Sequence, residues 1–315
     1  MNRLTIPLVF VVGAVSQYVG ASLGIGLFDR LSPEAVAWLR GAGAGIVLVV
    51  ALRPWRGQWP AARLRHAALF GCITIAMNMA FYASLAHIDM GTAVAIEFLG
   101  PIAVASLGSR RLADGLSVVC ALAGVACVAG VRWGGGLAGV GFALLAAACW
   151  AGYIVVGKRV ADAGSGIDVL GVGLALGAAV LAVPAMSYDV VVHTSAFARP
   201  EVWLMGLGVG LLSSVIPYAL DQVVLPQVGR ARFALLLALL PVTATVVGAV
   251  TLGQMPTAAE LAGIALVVVA ITVSGRDTGS GRDDHTPSGG QNAGAPPGDD
   301  DASASARDGL PGTGG

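Results

Sequence analysis

Charge is the scarcest feature of this chain. Asp, Glu, Lys and Arg make up 11% of its 315 residues, against about 25% in a soluble domain. Eighteen basic and eighteen acidic residues cancel, so no excess of one sign points to nucleic acid. Cysteine is sparse as well. Cys72, Cys120, Cys127 and Cys149 lie in apolar runs and form no CxxC motif, so they read as small core residues. His66, His87, His193 and His285 fall in loops or in the tail, without the spacing a metal requires. No run of His, Asp, Ser or Cys gathers at a membrane face, which argues against a membrane-embedded enzyme. Repeated acidic or carbonyl-rich filter segments are also missing, which argues against a channel. No cofactor is called for.

What is there is hydrophobic: 56% of the residues, with a mean hydropathy of +0.81. This is the composition of an all-α polytopic membrane protein. Glycine supplies 45 residues, which suits close helix approach in lipid.

About ten spans can be marked. The first lies within Met1–Phe28; it exceeds the apolar core of a signal peptide, and more spans follow. Ser32-Pro33-Glu34 reads as a helix start and opens a second span to Leu52. A basic loop from Arg53 to His66 follows. Further spans cover about 67–87, 91–109 and 115–131, then 138–157, 167–187, 202–224, 231–251 and 258–275. The Gly134–Gly136 run is a flexible break. The tail from Arg276 to Gly315 has almost no large apolar residue and is expected to be disordered and cytoplasmic.

Basic residues set the orientation. With the N-terminus inside, inner segments hold Arg3, Arg53, Arg56, Arg63, Arg65, Arg110, Arg111, Lys158, Arg159, Arg230, Arg232 and Arg276. Outer loops hold Arg30, Arg132 and Arg199. Twelve against three places both termini in the cytoplasm. The outer connection Tyr188–Pro200, with Asp189, His193 and Arg199, reads as a solvated loop.

The stretch Gly91–Arg111, GTAVAIEFLGPIAVASLGSRR, stands apart. A charge at mid-bilayer costs about 2.5–3.5 kcal/mol on insertion scales, so Glu97 should face a bundle interior or a watery cavity. Pro101, four residues on, removes the backbone bond to the Glu97 carbonyl, so the helix should bend or open there.

The two halves repeat. At a shift of about 140 residues AIEFLGPIAVA (95–105) falls on LLLALLPVTAT (235–245), and Pro101 meets Pro241. LAGV (122–125) falls on LAGI (261–264). Tyr18-Val19-Gly20 meets Trp150-Ala151-Gly152 at a shift of 132. The expected units are five-helix repeats over 5–131 and 138–275. Five is odd, so the second copy enters the membrane inverted. Inverted repeats give two similar-energy shapes with a site near the midplane between them.

The sequence resembles the drug/metabolite transporter superfamily in its EamA branch, and more narrowly the threonine/homoserine exporters. The stretches that carry the resemblance are MNMAFYASLAHIDMGTAVAIEFLGPIAVASLGSRR (77–111), ACWAGYIVVGKR (148–159) and IPYALDQ (216–222). It implies a ten-helix inner-membrane carrier that exports amino acids or related small metabolites, driven by protons or by exchange. Exporters of this type tend to carry Glu before the second-repeat proline and Leu-Gly-Glu at that helix end. Here these are Leu240 and Leu252-Gly253-Gln254, which puts substrate and coupling ion in question.

Candidate site residues follow from polarity within apolar runs. Glu97 lies about six residues into its span, about 9 Å deep, and suits a substrate amine, a proton or a fixed salt bridge. Arg40 lies at similar depth in the second span. It can pair with Glu97, hold a substrate carboxylate in its fork, or snorkel to the interface. Asn78 and Tyr82 share one face of the third span; they suit a zwitterion or interhelical bonds. Gln17, Tyr18, Trp150 and Tyr153 are further candidates, with interface anchoring the alternative for aromatics. Pro101 and Pro241 are expected hinges. Asp221 sits near the cytoplasmic end as an Arg-paired carboxylate or as a gate or relay. The expected partners are a small-molecule substrate, protons and the lipid bilayer, with a homodimer left open.

Overall fold

The computed structural model describes residues 5–107, 112–130, 136–162, 167–220 and 236–277. Asp221, Arg110, Arg111, Arg230, Arg232, the side chains of Lys158 and Arg159, and most of the tail lie outside the described residues. The described chain is helical. Its elements are α1 (Thr5–Ile25), α2 (Pro33–Leu52), α3 (Ala61–Leu85), α4 (Met90–Glu97), α5 (Leu99–Leu107), α6 (Leu112–Gly130), α7 (Leu137–Asp162) and α8 (Ile167–Val192). They continue with a short α9 (Thr194–Phe197), α10 (Pro200–Gly210), α11 (Leu239–Leu252) and α12 (Ala258–Asp277). A π turn, Leu211–Val215, prolongs α10, and the helix runs on to Leu220.

Seven of the described helical stretches are long and apolar enough to cross a membrane, α4 and α5 counting as one; three shorter apolar helices, Gly115–Cys127, Leu239–Leu252 and Ala258–Val273, complete ten. The Ser32 start is as read: Ser32 accepts the Ala35 N–H, with Pro33 and Glu34 in the first turn. Three expectations need correction. None of the four cysteines is a buried core residue, and Cys127 is exposed. The basic stretch before the third span is not all loop, because α3 begins at Ala61 and carries Arg63, Arg65 and His66. The 188–200 connection is not a solvated loop. Helix α8 runs through it to Val192, and Asp189 is fully buried.

Helix pairings come in equivalent sets. The third span packs on the seventh (α3 on α8), and the eighth packs on the second (α10 and its π turn on α2). The sixth packs on the third and fourth (α7 on α3, α4 and α5), and the first on the eighth and ninth (α1 on α10, the π turn and α11). Spans two and seven, four and nine, and five and ten meet each other (α2–α8, α4–α11, α6–α12). Advancing each span by five maps these pairings onto one another, whereas the packing of α2 on α3 has no counterpart between α8 and α10. A glycine pair marks two equivalent contacts. A Cβ on Gly71 would collide with the Gly173 carbonyl, and one on Gly43 would come within 3.0 Å of the Gly206 carbonyl oxygen.

The fourth and ninth spans both break. A turn at Phe98 (φ −64°, ψ −12°) separates α4 from α5, three residues before Pro101. A turn at Ala238 (φ −64°, ψ −16°) precedes α11, three residues before Pro241. The missing proline N–H explains both. It leaves the carbonyl four residues back unbonded, and the preceding turn loosens.

Candidate functional site

Arg40 stands in the first half of α2 and is 6% exposed. Its donors go to the eighth span. Nε donates to Ser214 Oγ at 3.2 Å, and Nη2 donates to the Ser213 carbonyl at 2.9 Å. The guanidinium also lies over the Tyr82 ring, 5.7 Å from its centroid, where the ring face attracts a cation.

The Ser213 carbonyl is open for a local reason. Within the π turn the Ile216 N–H reaches back to the Leu211 carbonyl. The next residue is Pro217, which has no N–H. It therefore bonds neither the carbonyl four residues back, Ser213, nor the one five back, Leu212. Both are taken by other helices: Arg40 binds the first, and the Ser16 hydroxyl binds the second at 2.9 Å. Ser213 Oγ in turn donates to the Gln17 carbonyl at 3.1 Å. Gly20 makes the approach possible, since a Cβ there would overlap Ser213 Oγ.

Glu97 ends α4 just before the break and is 9% exposed. Among the described residues it has neither an ion pair nor a hydrogen bond. Of the alternatives for Arg40, the salt bridge to Glu97 is not formed; the guanidinium is held by Ser213 and Ser214. Snorkelling is ruled out by the same two bonds and by burial.

Tyr82 is fully buried, and its hydroxyl has no hydrogen-bond partner among the described residues. Phe28 and Phe81 meet its ring edge-on at 6.2 and 6.0 Å between centroids. Gly24 leaves the ring its room; a Cβ there would stand 2.7 Å from it. Asn78, one turn earlier on α3, is buried and meets no hydrogen-bond partner among the described residues. Buried polar groups ordinarily have partners, and the Tyr82 hydroxyl stands as an exception.

The remaining candidates divide. Tyr18 is buried on α1, and Trp150 of α7 packs edge-on against Phe98 at 4.8 Å, beside Glu97. Tyr153 instead stacks on Phe70 at 4.6 Å, in a separate apolar cluster with Leu48 and Leu174. Gln17 meets the site through its backbone. Pro241 is buried in α11. No group of three or more His, Cys, Asp or Glu suited to a metal occurs among the described residues.

Ser213 and Ser214 were not singled out from the sequence. The usable signal was Pro217, whose ring frees the carbonyls four and five residues before it. Gln254, noted as a departure, has a structural task. Its Oε1 accepts the Met90 N–H at 3.0 Å, joining the end of α11 to the start of α4. Gly253 makes that turn at φ 68°. Near the same end Ser22 and Thr251 hydroxyls meet at 2.8 Å. Asp189 of α8 accepts the Ser32 N–H at 2.8 Å and the Ser32 hydroxyl, and meets His193 Nδ1 at 3.0 Å.

Comparison with known proteins agrees with this architecture. Residues 137–276 match the model of the EamA-like transporter family. The chain is 32% identical over 269 residues to the threonine/homoserine exporter RhtA of Salmonella typhimurium strain LT2, covering 84% of this chain and 88% of that protein. It is equally similar to RhtA of Escherichia coli K12, covering 90% of it. A crystal structure of a protein 21% identical in sequence superposes with a TM-score of 0.56, over 87% of this chain and 97% of that one, which shows a shared fold. The pseudo-symmetric ten-span bundle and these similarities have one reading: the chain is a multi-pass membrane protein that belongs to the EamA-like transporter family.

Proposed function

We propose that this chain is a secondary transporter that exports a small polar metabolite, an amino acid, by alternating access across the inner membrane. The observation that carries the reading is two opposite charges buried inside the bundle, Arg40 anchored on the eighth span and Glu97 joined to it by no ion pair. An apolar site tolerates an unpaired charge poorly, and a zwitterion offers a carboxylate to the guanidinium fork and an amine to the carboxylate. Glu97 would bind the amine or, in the empty carrier, a proton as coupling ion. Asn78, Tyr82 and Tyr18 would line the site, with Trp150 beside Phe98. Repeats over about 5–131 and 138–275 would rock about it, bending at Pro101 and Pro241. Both termini would face the cytoplasm, as the basic residues argue. Similarity to exporters of threonine and homoserine supports the direction and the substrate class.

One observation favours a second reading. Leu240, buried before Pro241, is neutral where such exporters tend to carry Glu. A carrier for sugars, nucleotides or drugs would fit that loss. The experiment is transport of labelled threonine, homoserine and other amino acids in inside-out and right-side-out vesicles, with and without a pH gradient. The wild type should move an amino acid. Glu97→Gln, at equal membrane abundance, should not. Movement of none by the wild type sinks the amino-acid reading, and equal movement by both forms makes Glu97 structural.

A further inference from the structure

The connection between the second and third spans carries charge of one sign. Residues 53–66, RPWRGQWPAARLRH, hold Arg53, Arg56, Arg63 and Arg65 and no Asp or Glu. The stretch is folded. Arg53 closes α2 in the left-handed region, at φ 50° and ψ 53°, and its N–H returns to the Val49 carbonyl at 3.0 Å. A 3₁₀ turn, Pro54–Arg56, starts at once. The Trp59 indole N–H closes the loop on the Pro54 carbonyl at 2.8 Å. Arg63 lies over the Trp59 ring, 4.3 Å from its centroid. It also donates to the Gln58 carbonyl at 3.1 Å and reaches Asp168 of α8 at 4.0 Å. Arg53, Arg56 and Arg65 differ from it. All three are exposed, and none has an ion-pair partner among the described residues. Trp55, between the first two, is 62% exposed, and Leu52 and Leu64 are exposed as well. Among the described residues Arg53 is the one non-glycine with positive φ. That region costs a residue with a Cβ free energy that glycine escapes, and such strain persists where the side chain has a use.

We propose that this turn is a binding surface for the headgroup of an anionic phospholipid, with Arg53 and Arg56 on the phosphate and the Trp55 ring at the level of the headgroups. The leaflet rests on the orientation proposed above, which puts this end at the cytoplasmic face, where anionic lipids gather. The Arg56 N–H bonds the Arg53 carbonyl at 3.1 Å. A turn of that kind brings its ends within about 7 Å, so one headgroup spans both residues. An arginine fork matches phosphate geometry, and an indole ring settles at the membrane interface. Charges that only set orientation need no more than exposure. Here a strained backbone, a closed turn and an exposed indole accompany them. The consequence reaches the candidate site. Helix α2 carries Arg40, and α3 carries Asn78 and Tyr82, so a lipid held here braces the two helices at the end they share.

The test uses the full chain and needs no transported substrate. The protein is reconstituted in phosphatidylcholine vesicles with a minor share of phosphatidylglycerol, one lipid or the other carrying bromine on its chains. Bromine quenches a nearby indole, and subtracting the signal of Trp55→Phe isolates Trp55. Brominated phosphatidylglycerol should quench Trp55 beyond its share of the bilayer. Arg56→Gln should lower that preference about fivefold, the scale of one arginine at an anionic surface, and high salt should lower it too. Arg53→Gly removes the charge and relieves the backbone. In detergent without lipid it should melt at or above the wild type. Added phosphatidylglycerol should raise the wild-type melting temperature by several degrees and that of Arg53→Gly and Arg56→Gln by half as much or less. Quenching in proportion to bilayer composition overturns the proposal, as does an equal lipid-induced rise in all three proteins. A clear fall in the melting of Arg53→Gly without lipid also overturns it, because Arg53 then serves the fold. Vesicles of uniform composition read the binding whichever way the chain is inserted, so the orientation and the transport reading stand or fall separately.

Discussion

Glu97 and Arg40 were legible because each is a charge in an apolar run, where its cost demands a reason. Their relation was not legible. Depth along two helices put them side by side, but what each bonds depends on the eighth span, whose serines look ordinary in a membrane helix. The geometry also separates arginine from lysine at position 40. A guanidinium spans the Ser213 carbonyl and Ser214 hydroxyl and still presents donors; an ammonium is a compact point charge. Arg40→Lys should therefore insert normally and lower transport by about tenfold or more, from the loss of bidentate geometry. Wild-type rates at equal abundance would show that charge alone suffices there.

At the scale of the helix, hydropathy placed the spans, though α3 starts at Ala61 and not near 67 and α8 ends at Val192 and not near 187; Ser32-Pro33-Glu34 marked a start with its cap. Apolar runs hid which face packs. Lipid and helix neighbours both select apolar side chains, so Trp150 and Tyr153, three residues apart, were grouped together although one meets Phe98 and the other Phe70. The proline breaks were readable, because a missing N–H acts locally whatever surrounds it. Pro101→Ala restores a donor for the Glu97 carbonyl and should join α4 to α5. The expected outcome is unchanged abundance with a reduced maximal transport rate; an unaltered rate would remove Pro101 from the cycle. The contact of Gly71 with Gly173 makes a second case. Gly71→Ala drives a methyl into a backbone carbonyl, a strain of about 1–3 kcal/mol or more. Melting in detergent should fall by several degrees, whereas Gly141→Ala, with nothing within 4 Å of its Cβ, should melt as the wild type does.

For the whole molecule, the 140-residue shift between Pro101 and Pro241 was a sequence pattern before it was a structural one. The turns at Phe98 and Ala238 fall on the same shift. What the pattern could not supply was the set of polar contacts at one end of the bundle. Here Ser22 meets Thr251, and Gln254 meets Met90, at the end where α1 and α11 finish and α4 begins. Under the proposed alternating access these contacts would part. A Ser22→Cys, Thr251→Cys pair should form a disulfide on oxidation and stop transport, with recovery on reduction. Continued transport by the cross-linked protein would show that this end does not open.

The buried carboxylate of Asp189 bears on how such opening can proceed. It fills the amide position at the head of α2 from a different helix, α8, and holds the Ser32 hydroxyl as well. Sliding α2 along α8 would strand that carboxylate without its donors, while tilting about it keeps both bonds. In a rocking carrier the second and seventh spans would then share a fulcrum at one tip, and a given tilt would displace side chains most at the far end of the lever.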